Sequence, residues 1–160
     1  SETGLANQKR FESLKYWISI WEANGAKIDG INAKLSLSYS EDEAKQAENK
    51  ADFDRLLDNL VSAGKLIRLS NFDITYKDAS GTNVAAKDIT EEQRQRLADY
   101  YAYIIKSYMS KVPSDKQAGL CKGNMVDTSD PVGLWSIDSK SKDWVRTATY
   151  KAFCDALSGK

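Results

Sequence analysis

Runs of period-two alternation, each followed by a run of helical period, constrain this chain more than any other feature. Lys27 to Leu37 alternates cleanly: Ile31, Ala33, Leu35 and Leu37 share one face, and Gly30, Asn32, Lys34 and Ser36 the other. Phe53, Leu56, Leu57, Leu60 and Val61 then mark a helix, with the charged run Glu41 to Lys50 as its solvated start. After Gly64 a second strand climbs from Leu66 towards Ile74. Strict alternation would set Ile67, Leu69, Asn71 and Asp73 on one face, with Leu66, Arg68, Ser70 and Phe72 opposite. Thr90-Glu91-Glu92-Gln93 is a capping box that opens the next helix, carrying Leu97, Tyr100, Tyr101, Ile104, Ile105 and Tyr108. An aromatic stripe at that spacing predicts core. Val112-Pro113 ends the helix, Ala118 to Cys121 reads as a short third strand, and Asp143 to Leu157 as a last helix holding Val145, Tyr150, Phe153 and Leu157. An amphipathic helix over residues 5–24 precedes everything, with Leu5, Phe11, Leu14, Ile18 and Trp21 in its stripe.

The order α, βα, βα, βα predicts parallel strands joined by right-handed crossovers. In such sheets ligands bind beyond the carboxyl ends of the strands, so Asn71 and Asp73 stand where chemistry would be done. The stretches Tyr76 to Asp88 and Lys122 to Asp138 read as loops at that end.

With 160 residues the chain fits one domain. Its 23 basic and 23 acidic residues cancel without forming a stripe, which argues against nucleic acid. No apolar run approaches the ~18 residues of a membrane span. The chain holds no His, which removes imidazole triads and His-bound zinc, and the spacing of Cys121 and Cys154 suits no metal. Two buried thiols are expected, with no metal and no cofactor. The missing initiator Met suggests processing, so the lack of a leader says nothing about export.

Four segments carry a family resemblance. "KIDGINAKLSLS", "AGKLIRLSNFDI", the run from "LADYYAYIIKSY" to "GLCKGNMVDTSD", and "GLWSIDSKSKDWVRTATYKAFCDAL" resemble, in order and spacing, segments of glycoside hydrolase family 10, the retaining β-1,4-xylanases. The resemblance implies an α/β fold of the (β/α)8 TIM-barrel type. Residues 1–160 would form one C-terminal part of that barrel: its last three βα units, preceded by a helix. The family's acid/base Glu lies on the fourth strand, and no counterpart is present. Asn71 stands at the family's nucleophile position. Lys34 and Ser36 replace the sixth strand's Gln and His, Gly123 replaces a pocket Trp, and a second pocket Trp is lost where the loop shortens to residues 129–133. Asp73 is retained, and Trp135 sits at a packing position.

A retaining glycosidase needs two carboxyl groups about 5–5.5 Å apart, and an Asn amide cannot form the glycosyl ester. Asp73, two residues along the strand, lies about 6.6 Å away, too far to substitute. The expectation is a catalytically degenerate xylanase-like part with a carbohydrate-binding or structural role in a larger glycan-processing protein. The alternative is the C-terminal portion of a working endo-1,4-β-xylanase. An unrelated α/β interaction domain fits the four segments poorly. The resemblance implies xylan or a related plant polysaccharide as a weak or lost ligand, and a secreted or cell-envelope setting. An open barrel would also leave its edges and inner face, Ile67 and Leu69 included, to an N-terminal half or a second copy.

Overall fold

The computed structural model describes residues 4–159. A 3-10 turn at Gly4–Ala6 leads into α1 (Gln8–Ala23), where Asn7 caps the helix by accepting from the Arg10 amide. Strand β1 (Gly30–Lys34) is followed by β2 (Leu37–Ser40) and α2 (Glu43–Ser62). Next come β3 (Leu66–Ser70), β4 (Ile74–Lys77) and α3 (Glu91–Lys111). The chain closes with β5 (Gln117–Leu120), the strands β6 (Trp135–Ile137) and β7 (Trp144–Arg146), and α4 (Ala148–Leu157).

The main sheet is β1-β3-β5, parallel throughout. Its outer face, with Ile31, Ala33, Ile67 and Leu69, is buried among apolar residues of the helices. Asn32, Lys34, Leu66 and Arg68 alternate onto the opposite, exposed face. Ile67 and Leu69 are fully buried, so they do not belong to the uncovered face expected of an open barrel; Leu66, 39% exposed, takes that place. The reason is phase, since alternation from β1 fixes which side of β3 meets α2 and α3.

The sheet is built twice. After Leu35 and Asn71 the same two chain segments meet again as a parallel β2·β4 ladder, with Leu37 opposite Ile74 and Tyr39 opposite Tyr76. This second ladder overturns the reading of Tyr76 as the start of a loop, and β2 extends past Leu37, where the first alternating run was expected to end. The Tyr39 and Tyr76 rings stack at 4.9 Å. The Tyr76 hydroxyl donates to Glu41, a bond that together with burial holds the phenol far above its ordinary range.

α3 organises the core. The Thr90–Gln93 capping box forms as the sequence predicts, and Leu97, Tyr100, Tyr101, Ile104, Ile105 and Tyr108 are all buried. The β3·β5 register shifts between Ile67 and Arg68, and the Tyr108 hydroxyl fills that gap: it donates to the Ile67 carbonyl at 2.8 Å and accepts from the Gly119 amide at 3.1 Å. Tyr101 does the same two turns earlier, accepting from the Ile74 amide and donating to the Val132 carbonyl.

Three further expectations need correction. Residues 143–147 are not helical: β6 and β7 form an antiparallel hairpin with Val145 exposed, and Thr147 precedes a shorter last helix. Trp21 is 46% exposed and stacks on Trp17, because only Phe11 and Ile18 of α1 reach the interior. Cys154 is exposed and Cys121 half-buried, and neither forms a disulfide.

Candidate functional site

The carboxyl ends of β1, β3 and β5 define the place to look. At the end of β3 the chain turns sharply: Asn71 has φ 54°, the left-handed region that Asn tolerates better than most residues. The turn closes with the Asp73 amide donating to the Asn71 carbonyl at 2.8 Å, and the Asn71 amide Nδ2 donates to the Leu35 carbonyl at 3.0 Å. The side chain at the position expected to carry a nucleophile therefore stitches two strand ends together. The turn also reverses the phase of the strand. Ile67 and Leu69 are buried before it, Phe72, Ile74 and Tyr76 after it. Strict alternation through Asn71 and Asp73 fails for that reason, and Asp73 leaves the face it was expected to share with Ile67 and Leu69.

Asp73 meets the segment that follows β5. Its carboxylate pairs with the Lys122 ammonium, whose side chain is only 6% exposed. It also accepts from the Asn124 backbone amide at 3.1 Å and from Asn124 Nδ2 at 2.6 Å. Burial pushes the Lys122 ammonium below the usual lysine range, and the bond to Asp73 opposes that shift. The Tyr101 ring lies 5.4 Å beneath Lys122. Gly123 is explained by this packing, since a Cβ there would come within 2.9 Å of the Asp73 carboxyl carbon.

A second buried pair holds the same loop. Arg94 bonds both oxygens of Asp127, at 2.8 and 3.4 Å, and Asp127 also accepts from the Gly133 amide. The loop is thus tied to α3 and to β3 independently.

Of the residues singled out by sequence, the structure brings Asp73 and Gly123 into contact, with Asn71 two positions away on the same turn. Lys34 and Ser36 are exposed at the end of β1. Lys122 and Asn124 were not foreseen. The polar partners of the Asp73 carboxylate are thus Lys122 and Asn124. Trp135 packs edge-on to Tyr150, with Arg146 stacked over both rings.

A parallel β1-β3-β5 sheet covered by helices on its outer face, with loops gathered at the strand ends, is part of a (β/α)8 barrel. Solved xylanase structures have this fold. A thermostable mutant of a xylanase from Cellvibrio japonicus superposes with a TM-score of 0.70 at 15% identity, over 98% of this chain and 47% of that one. A mutant of xylanase10C from the same organism, in complex with xylopentaose, gives 0.67 at 14% identity over 97% of this chain and 32% of that one. A GH10 endoxylanase retrieved from sugarcane soil metagenome gives 0.65 at 13% identity over 94% and 46%. The chain spans a third to just under half the length of these structures. No protein-family model and no curated protein matches it. The likeness is one of fold, and the fold is that of part of a family 10 xylanase barrel. No helix among the described residues is long and apolar enough to cross a membrane.

Proposed function

We propose that this chain is a xylanase-like barrel part that has lost hydrolysis and serves a larger glycan-processing protein by binding carbohydrate or by structural support. The observation that carries the reading is the state of Asp73. A glycosidase nucleophile must be free to attack, yet this carboxylate is neutralised by Lys122 and held by both Asn124 donors. Asn71 offers no substitute, because its neutral amide cannot form the glycosyl ester intermediate, and its Nδ2 donates to Leu35. In this reading residues 1–160 are the last three βα units and the helix before them, and Lys34, Ser36, Asp73 and Gly123 line the saccharide end. Xylan or a related plant polysaccharide is the ligand class, held weakly because the family's aromatic pocket positions are empty of aromatics. Support for that class comes from the fold and from neighbours solved with xylopentaose and xylohexaose. The rest of a barrel, or a second copy, would cover the free edges of β1 and β5.

The purified chain is expected to release no reducing sugar from xylan above a buffer control. Release that disappears in Asp73→Ala would favour instead the C-terminal portion of a working endo-1,4-β-xylanase.

A further inference from the structure

Away from the strand ends, one cavity of about 200 Å³ opens between the first halves of α2 and α3. It is lined by Tyr39, Gln46, Lys50, Arg96, Asp99 and Tyr100. Gln46 is 8% exposed; its Oε1 accepts from the Ser40 amide at 2.9 Å, while its Nε2 has no partner. A buried amide donor left unpaired costs about 1–3 kcal/mol, so its place at a cavity wall calls for an occupant. Lys50, at the rim, lies over the Tyr103 ring at 5.1 Å and pairs with no carboxylate among the described residues. Asp99 accepts from Gln95 through Oδ1 and keeps Oδ2 for another donor.

The geometry points to this cavity as a binding site for a single neutral sugar ring, separate from the strand-end site and resting on the saccharide reading above. The occupant must accept from Gln46 Nε2 and Lys50 and donate to Asp99. A hydroxyl does both, and a polyhydroxylated ring offers several of them. A carboxylate ligand would lie against Asp99 with Glu41 close behind, and a cationic one against Lys50 and Arg96. The volume suits one monosaccharide, being below the ~300–1,000 Å³ of pockets for larger ligands. Tyr39 supplies a half-buried aromatic wall.

The test is a titration of the nitrogen-15-labelled chain with xylose, xylotriose and glucuronate, followed by amide chemical shifts. Xylose or xylotriose is expected to move the amides of Tyr39, Gln46, Arg96 and Tyr100, and Lys50→Met to weaken that binding at least tenfold while the thermal melt is kept. Xylose acting alone identifies a free monosaccharide; a response only to xylotriose identifies a chain end. Shifts confined to Asp73, Lys122 and Asn124 would overturn this inference and leave the proposed function standing. No shift with either neutral sugar would overturn this inference together with the carbohydrate-binding arm of the proposed function, leaving only structural support. Tighter binding of glucuronate, or unchanged affinity in Lys50→Met, would overturn the neutral-ring assignment.

Discussion

Asn71 shows how one residue sets both the shape and the chemistry of the site. In its left-handed turn a branched or longer side chain costs about 1–2 kcal/mol, so restoring a Glu there would strain the backbone as well as remove the bond to Leu35. Asn71→Glu is expected to lower stability by that amount or more and to bring no xylan hydrolysis. Asn71→Gly keeps the turn and loses only the side-chain bond, about 1 kcal/mol. Denaturant melts of the two variants decide the point, and a hydrolytically active Glu variant would refute the account. The sequence placed Asn71 and Asp73 correctly at a strand end. It did not reveal Lys122, because a lysine between Cys121 and Gly123 in a polar loop looks solvated. Only the fold carries it to Asp73, 49 positions away. Gly123 was the nearest available signal, a residue without a Cβ beside a retained carboxylate.

Among the elements, α3 was the most legible, since capping box, helical period and Pro113 all agree. Its tyrosines carry more than apolar area. Tyr108 occupies the break in the β3·β5 ladder, satisfying Ile67 and Gly119 at once. Tyr108→Phe keeps the ring and leaves both backbone groups unpaired, so a loss of about 1–3 kcal/mol is expected. Hydrogen exchange should quicken first at Gly119; a melt and an exchange rate equal to the parent's would refute this role. The short strands were the least legible. β2 carries Ser38 and Ser40, both buried, whose polarity hides a strand, although Leu37, Tyr39, Ile74 and Tyr76 do alternate. The β6·β7 hairpin hid because only Tyr150, Phe153 and Leu157 keep a helical spacing, and Val145, five residues ahead of Tyr150, was grouped with them although it belongs to β7.

For the molecule as a whole, β1 and β5 are the edges of the main sheet and pair with no further strand among the described residues. The chain exposes 8950 Å², against about 8,000 Å² for a compact monomer of its 17.9 kDa mass. Light scattering is expected to show association, and a monodisperse monomer with a cooperative melt would count against a missing complement. Alkali should unfold the chain. Tyr39, Tyr76, Tyr101, Tyr103 and Tyr108 all have phenols raised above 10.0, first by burial, Tyr103 to about 12. A raised folded value holds stability below pH 10 and loses it as pH climbs towards that value. Lys122, lowered by burial, acts in the opposite direction below 10.5, but it is one group against five. Melting temperature should therefore fall steeply above about pH 10, in step with phenolate absorbance; a midpoint unchanged to about pH 11 would contradict it. The doubled sheet has a different consequence. Because β1·β3 and β2·β4 belong to the same two segments, separated by the Asn71 turn, a one-residue slip would have to break both ladders together and reseat the kink. An outermost strand, ordinarily the loosest in a sheet, is here pinned at two points like a hinge with two screws, and can fray at its ends without ever losing its place.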